Sequence, residues 1–355
     1  MRGRPVIAYV GTRTTRQRNA RGEGLHVFRI SAEGGWSQVQ ILRDLVNPSF
    51  LALDHGGRHL YAVHGDESEV STFRVDDRTG ELTFLGARST EGRNPVHLAL
   101  EPSGRFLVIA NHITSTLALL PVAEDGSLGA CVDLVALSGE LGPHRIEQPF
   151  AKPHQVQFDP TGRFIVVPDK GLDRTFVFRL DVEAGRLVAV DGAAAQAREG
   201  AGPRHVAFHP EGNFAYVVDE LASTITCCRF DSQTGTLEPF QVVPSRADDR
   251  TGFSRGAEIA TSPDGRRVYV SNRGDDDIGV FAVDPGSGRL EPLQWRSTDG
   301  RTPRFFALGP TGMDLFAANE DSDTIVRLPL DLETGTLGDG RIVARVGSPV
   351  CILFS

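Results

Sequence analysis

The chain has 355 residues, 40% of them hydrophobic and 23% charged, with a formal net charge of −9, the balance of an ordinary water-soluble protein. That acidity argues against a nucleic-acid partner, which asks for a basic face, and no window reaches the roughly 18 apolar residues of a membrane span. The apolar run behind Arg2 and Arg4 is about six residues, too short for a secretory leader, and Cys131, Cys227, Cys228 and Cys351 have no metal-type spacing, so a reduced, cytoplasmic protein is expected.

In chain order, the first β-type run is VIAYVGT from Val6, which stands alone. From Pro48 a longer unit begins, PSFLALDHGGRHLYAVH: a strand, a turn centred on glycine, and a second strand. It returns as PVHLALEPSGRFLVIAN from Pro95, PHQVQFDPTGRFIVVPD from Pro153, PRHVAFHPEGNFAYVVD from Pro203, GAEIATSPDGRRVYVSN from Gly256 and PRFFALGPTGMDLFAAN from Pro303. A seventh copy, PVCILFS from Pro349, stops after its first strand. The period is about 50 residues, the regime of propellers and solenoids.

Between successive copies lies a second turn signal: DDRTGEL from Asp76, AEDGSL from Ala123, DVEAGRL from Asp181, DSQTGTL from Asp231, DPGSGRL from Asp284 and DLETGTL from Asp331, with a degenerate SAEGGW from Ser31. Glycine supplies positive φ and Asp bonds its own backbone, which suits a tight reversal between strands. Each repeat is therefore four short strands in two hairpins, one propeller blade. The expected fold is all-β, a single seven-bladed β-propeller domain over residues 1–355, closed by a blade shared between the C-terminal strand and the N-terminal strands, which leaves no open edge. Two stretches exceed the repeat, GELGPHRIEQPFAKP from Gly139 and PSRADDRTGFSRG from Pro244. Insertions on a regular array usually share one face and line the binding surface.

In a blade the first strand is innermost and the second returns beside it, so the start of one and the end of the other ring the same mouth of the central channel. The positions after each lead residue are Ser49, Val96, His154, Arg204, Ala257, Arg304 and Val350. The second strands end at His64 and Gly65, Asn111 and His112, Asp169 and Lys170, Asp219 and Glu220, Asn272 and Arg273, and Asn319 and Glu320. His154, Arg204 and Arg304 replace small or apolar residues on one arc, and Lys170, Glu220, Arg273 and Glu320 fall on the same arc. Such a cluster suits a small anionic molecule, because guanidinium groups bind carboxylate or phosphate through paired hydrogen bonds. An inter-blade salt bridge is the plainer reading of any one of these residues, although ion pairs serving stability alone would recur in every blade. The Asx residues, one per blade, read as backbone-bonding turn residues, and His55, His59, His97, His205 and His209 carry no assigned role. No metal-ligand cluster, GxSxG elbow or nucleotide loop is present, so neither a metal nor a cofactor is expected. Asp275, Asp276 and Asp277 read as a solvated loop.

KPHQVQFDPTGRFIVVPDKGLDR, GAGPRHVAFHPEGNFAYVVDEL, SPDGRRVYVSNRGDDDI and TPRFFALGPTGMDLFAANEDSDTI resemble the seven-bladed propeller lactonases, the group that includes bacterial 6-phosphogluconolactonase and fungal carboxy-cis,cis-muconate cyclase. The resemblance spans the whole chain. In the muconate-cyclising members the site is a His, two Arg and a Glu, and the matching positions are His154 after KP, Arg204 in GPRH, Glu220 in DEL and Arg273 in SNR. It implies a sugar-lactone hydrolase, with 6-phosphogluconolactone the favoured substrate, His154 or Glu220 as general base, Arg204 and Arg273 on the oxyanion and the substrate's anionic group, and Lys170, Arg304 and Glu320 as further substrate contacts. Two competing readings are a lactonising enzyme of muconate type and a non-catalytic propeller that binds an anionic ligand or a partner protein. The oligomeric state is left open.

Overall fold

The computed structural model describes residues 6–355. The β-branched and aromatic second strands His59–His64, Phe106–Asn111, Phe214–Asp219 and Asp314–Asn319 are buried at every position, because each lies between the faces of two neighbouring sheets. Seven sheets result, running 48–89, 95–136, 157–196, 203–244, 255–297 and 303–345 for blades one to six, with the seventh built from 349–354 and 6–42. Each has four antiparallel strands, in blades one to six in sequence order from the axis outward, and the third carries an extra strand, Ala195–Gln196, paired to Arg174–Asp181. Among the described residues the only helical element is the 3₁₀ turn Arg16–Arg18, and no helix is long and apolar enough to cross a membrane.

The ring closes as the repeat count requires. Pro349–Phe354 is the innermost strand of blade seven and pairs with Val6–Thr12, Tyr9 opposite Leu353. The core is correspondingly divided into clusters that lie between blades. One joins Ile7, Tyr9 and Leu25 of blade seven to Leu51, Leu60 and Phe73 of blade one. The outer turns lock the same joints: Tyr9, Tyr61, Tyr216 and Tyr269, at equivalent places in their second strands, donate from the hydroxyl to the carbonyls of Gly80, Gly126, Gly288 and Gly335 in the next blade, at 3.0–3.1 Å. Those glycines have φ of +69 to +81°, the left-handed conformation that the turn demands.

One irregularity recurs at the axis. In blade one the pairing steps from Pro48–His64 to Phe50–Val63, so the inner strand holds one residue more than its partner. The same bulge leaves Val96, Arg204, Arg304 and Val350 outside the ladder. In blade five it spans Ala257 and Glu258. In blade three the regular inner strand shrinks to Gln157–Phe158, and His154 follows an isolated bridge between Pro153 and Asp169. Bulges re-aim side chains, and here they direct them into the channel.

The Asx residues at the second-strand ends hold backbone, as their position suggests. Asn111, Asn272 and Asn319 donate to the carbonyls of Thr90, Ser245 and Thr298, and Asp169 accepts from the amides of Lys152, Gly171 and Leu172. Asp219 differs, accepting instead from the Thr224 and Thr226 hydroxyls. The reading of Asp275 to Asp277 as a solvated loop needs correction. Asp275 pairs with Arg246 at 2.8 Å, and Asp277 is 2% exposed and accepts from Asn272.

Candidate active site

The mouth at the second-strand ends gathers the buried charge. Glu220 sits at its centre: Oε2 accepts from Arg204 Nη1 at 2.7 Å and lies 3.2 Å from Arg273 Nη2, while Oε1 accepts from Lys170 Nζ at 3.1 Å and Arg255 Nη1 at 3.2 Å. Burial would raise the Glu220 pKa, but Arg273, Lys170 and Arg204 outweigh it and hold the group well below the usual carboxylate range. Arg204 and Arg273 are anchored in turn to the carbonyls of Ala257 and Gly256, both at 3.0 Å. Burial lowers the Arg204 pKa to about 9, so it remains cationic at neutral pH.

Both insertions reach this cluster. The first brings Glu147, which pairs with Lys170 at 3.1 Å and with Arg255 at 2.7 Å, and the Arg255 hydrogen bond holds its pKa at about 2. Arg255 ends the second insertion and lies over the Phe253 ring. Four cations thus face two carboxylates, and the surplus positive charge favours an anionic ligand.

A hydrogen-bonded line runs inward from Arg204. Its Nη1 is 2.6 Å from His154 Nε2, His154 Nδ1 is 3.2 Å from His205 Nε2, and His205 Nδ1 is 3.0 Å from Glu258 Oε1. A guanidinium only donates, so Nε2 of His154 accepts and its proton lies on Nδ1; His205 then accepts at Nε2 and donates from Nδ1 to Glu258. Both imidazoles are neutral in this arrangement. Burial and then the Arg204 charge push the His154 pKa well below its ordinary value, and burial lowers that of His205. Phe50, His97 and Phe305 pack next to this line, with ring centroids 4.0 Å apart for Phe50–His97, 5.9 Å for Phe50–Phe305 and 5.7 Å for His97–His205.

Of the residues singled out in the sequence, His154, Arg204, Glu220, Arg273 and Lys170 form one contiguous set. Arg304 and Glu320 stand apart on blade six, 3.9 Å from each other, and neither forms an ion pair with the Glu220 cluster. His205, which carries no assigned role in the sequence, is the second link of the line. Glu147, Arg255, Glu258 and Arg13 were also missed. Arg13 follows the end of strand Val6–Thr12, the place taken by Lys170, Glu220 and Arg273 in other blades, so the repeat itself carried that signal. A separate groove of about 300 Å³ beside Tyr269, Leu308 and Leu330 opens at the other end of blades five and six. Its charged neighbours Asp264, Arg266, Asp331 and Glu333 are exposed turn residues, without the interlocked burial of the mouth.

Comparison with known proteins agrees with this architecture. The family model described as lactonase, 7-bladed beta-propeller, matches residues 7–354. A 6-phosphogluconolactonase of Bacillus subtilis is 35% identical over 98% of both chains, and one of Formosa agariphila is 30% identical over 89% of this chain and 91% of its own. Among solved structures, the periplasmic gluconolactonase of Pseudomonas aeruginosa superposes with a TM-score of 0.89 at 31% identity, covering 99% of each chain. The ring of seven four-stranded blades, its closure and these full-length matches lead to one conclusion: the chain belongs to the seven-bladed β-propeller lactonase family.

Proposed function

We propose that this protein hydrolyses 6-phosphogluconolactone to 6-phosphogluconate, with the lactone held in the mouth formed by blades three to six. The observation that carries the reading is the position of Arg204 Nη1, shared between His154 Nε2 and Glu220 Oε2 at 2.6 and 2.7 Å. One guanidinium that can turn to a substrate oxygen thereby also governs whether a base is free.

At rest the His154 lone pair is capped. When Arg204 turns toward the lactone carbonyl, Nε2 is released and can take a proton from water as that water attacks the carbonyl carbon. The tetrahedral oxyanion is stabilised by Arg204 in its turned position and by Arg273, which Glu220 and the Gly256 carbonyl already hold in orientation. The imidazolium formed keeps its Nδ1–H on His205, and His205 keeps its own on Glu258, which orients and stabilises the charged ring as the acid of a catalytic triad does. Collapse of the intermediate breaks the bond from the carbonyl carbon to the ring oxygen, and His154 returns its proton to that oxygen. Glu220, held ionised, serves as the anchor of the two arginines, and Lys170 completes the cationic wall. Arg304 and Glu320 contact the substrate farther along the mouth. The four unbridged thiols suit the reducing cytoplasm, where we place the enzyme.

The test is turnover of 6-phosphogluconolactone, with a muconate-type lactone assayed in parallel, by wild type and by folded His154→Ala, Arg204→Ala and Arg273→Ala variants. Losing one oxyanion donor should cost about 10²–10³ in turnover. Unchanged turnover in all three variants refutes the site, and hydrolysis of the muconate-type lactone alone refutes the substrate.

A further inference from the structure

On the far side of the same mouth lies a second, smaller set of polar groups without partners. Arg13 is 3% exposed, yet its Nη1 has no hydrogen-bond partner and it forms no ion pair among the described residues. Ser49, which follows the lead residue Pro48 of the adjoining blade one, is also buried with an unpartnered Oγ. Both groups converge on Gly65: a Cβ placed there would collide with Arg13 Nη1 and lie 3.0 Å from Ser49 Oγ. Gly65 is the position that other blades fill with His112, Lys170, Glu220, Arg273 or Glu320, and in blade one the Arg13 guanidinium lies where those blades place a side chain.

Glu320 and Asp66 act on Arg13 through space, without an ion pair to it among the described residues. Asp66 is engaged by Arg18 and Asn47, and Glu320 faces Arg304. Burial, followed by the Arg304 and Arg18 charges, lowers the Arg13 pKa to about 9, which leaves it cationic at neutral pH. A buried guanidinium without a direct ion pair is costly to the fold, and an unsatisfied group of this kind in a ligand-binding mouth points to a ligand that satisfies it. Arg204 and Arg273 are already committed to Glu220 and to backbone carbonyls, which suits them to the reacting end of a substrate and leaves its charged end to other donors.

We propose that Arg13 Nη1, Ser49 Oγ and Arg304 form a subsite for a phosphate monoester, the charged tail of the lactone whose carbonyl lies at Arg204 and Arg273. This rests on the lactonase reading above. Donors arriving from three blades match the three terminal oxygens of a tetrahedral phosphate better than the two coplanar oxygens of a carboxylate.

The test compares kcat/KM for 6-phosphogluconolactone and for unphosphorylated gluconolactone. Arg13→Met, similar in length and uncharged, should reduce the ratio of the two by about 10- to 100-fold, as expected for loss of a charged hydrogen bond, and Ser49→Ala should reduce it less. Because the lost charge is unpaired, Arg13→Met should also melt no lower than wild type, and inorganic phosphate should raise the Tm of wild type but not of Arg13→Met. An unchanged ratio in a folded Arg13→Met variant overturns the subsite, as does equal stabilisation of both proteins by phosphate. If wild type hydrolyses neither lactone, the lactonase reading fails, and calorimetry decides the subsite separately. Preference for 6-phosphogluconate over gluconate that vanishes in Arg13→Met upholds it; equal binding of the two acids, or tighter binding of a dicarboxylate, overturns it.

Discussion

Glu220 is 3% exposed and touches four cationic groups, so its charge is structural as well as functional. Glu220→Gln would leave Arg204 and Arg273 buried without a counter-ion, and a broken buried pair of this kind costs about 3–5 kcal/mol. Urea unfolding should show a loss of that order, whereas a loss below about 1 kcal/mol would mean that the arginines find another partner. The sign of the pH dependence follows from the depressed pKa. Glu220 contributes stability that is fully present above its unfolded value and is lost as pH falls through its folded value, well below the usual carboxylate range. His154, with its pKa also depressed, stays neutral and able to accept a proton below the ordinary histidine value. The kcat/KM profile should therefore be flat from pH 8 down through about 6.5, the reference value, and fall only in more acid solution; a half-maximum at the reference value would remove His154 as the base. Glu258→Gln should lower kcat by at least about tenfold with KM little changed, since Glu258 acts through two imidazoles without reaching substrate, and Glu258→Asp should restore part of it.

Tyrosines that reach across to the next blade make the outer hairpins part of the inter-blade joints. Tyr216→Phe would strand the buried Gly288 carbonyl, at a cost of about 1–3 kcal/mol in urea unfolding, with kcat unchanged because the clasp lies away from the mouth. A cost near zero would mean that water reaches that carbonyl. These hairpins, and the blade count, were legible in the sequence because a period of about 50 residues is carried by many glycines and apolar runs at once. The arc of His154, Arg204, Glu220 and Arg273 was legible because it breaks that period. His205 was not, for a definite reason: strict alternation sends neighbours Arg204 and His205 to opposite faces of a strand, but the bulge after Pro203 turns both toward the axis. Glu258 lies in the corresponding bulge of blade five and was hidden by the same device. Glu147 and Arg255 belong to the insertions, where no repeat register exists to say which side chain faces inward. Arg13 was legible in principle, just past the end of the VIAYVGT run, but its blade is the seam assembled from the two ends of the chain, so that run has no inner strand before it to mark the position as part of the mouth.

The seam also sets the stability of the whole ring. Residues 349–355 supply the innermost strand of blade seven and bury Val350, Cys351 and Ile352. Deleting them would expose the edge of strand Val6–Thr12 and leave blades six and one without a neighbour at the axis. The truncated chain should therefore aggregate or elute as higher oligomers in size-exclusion chromatography; a monomer with wild-type Tm would show that the ring holds without its inner seventh strand. The extra residue at the head of each inner strand bears on how such a ring acquires new chemistry. A residue outside the ladder can change from Val96 to Arg204 in type without disturbing the pairing of any strand, so selection can revise the mouth one socket at a time while the frame stays fixed. Seven sockets, each free to carry a base, a cation or nothing, give one framework access to many lactones through a few substitutions.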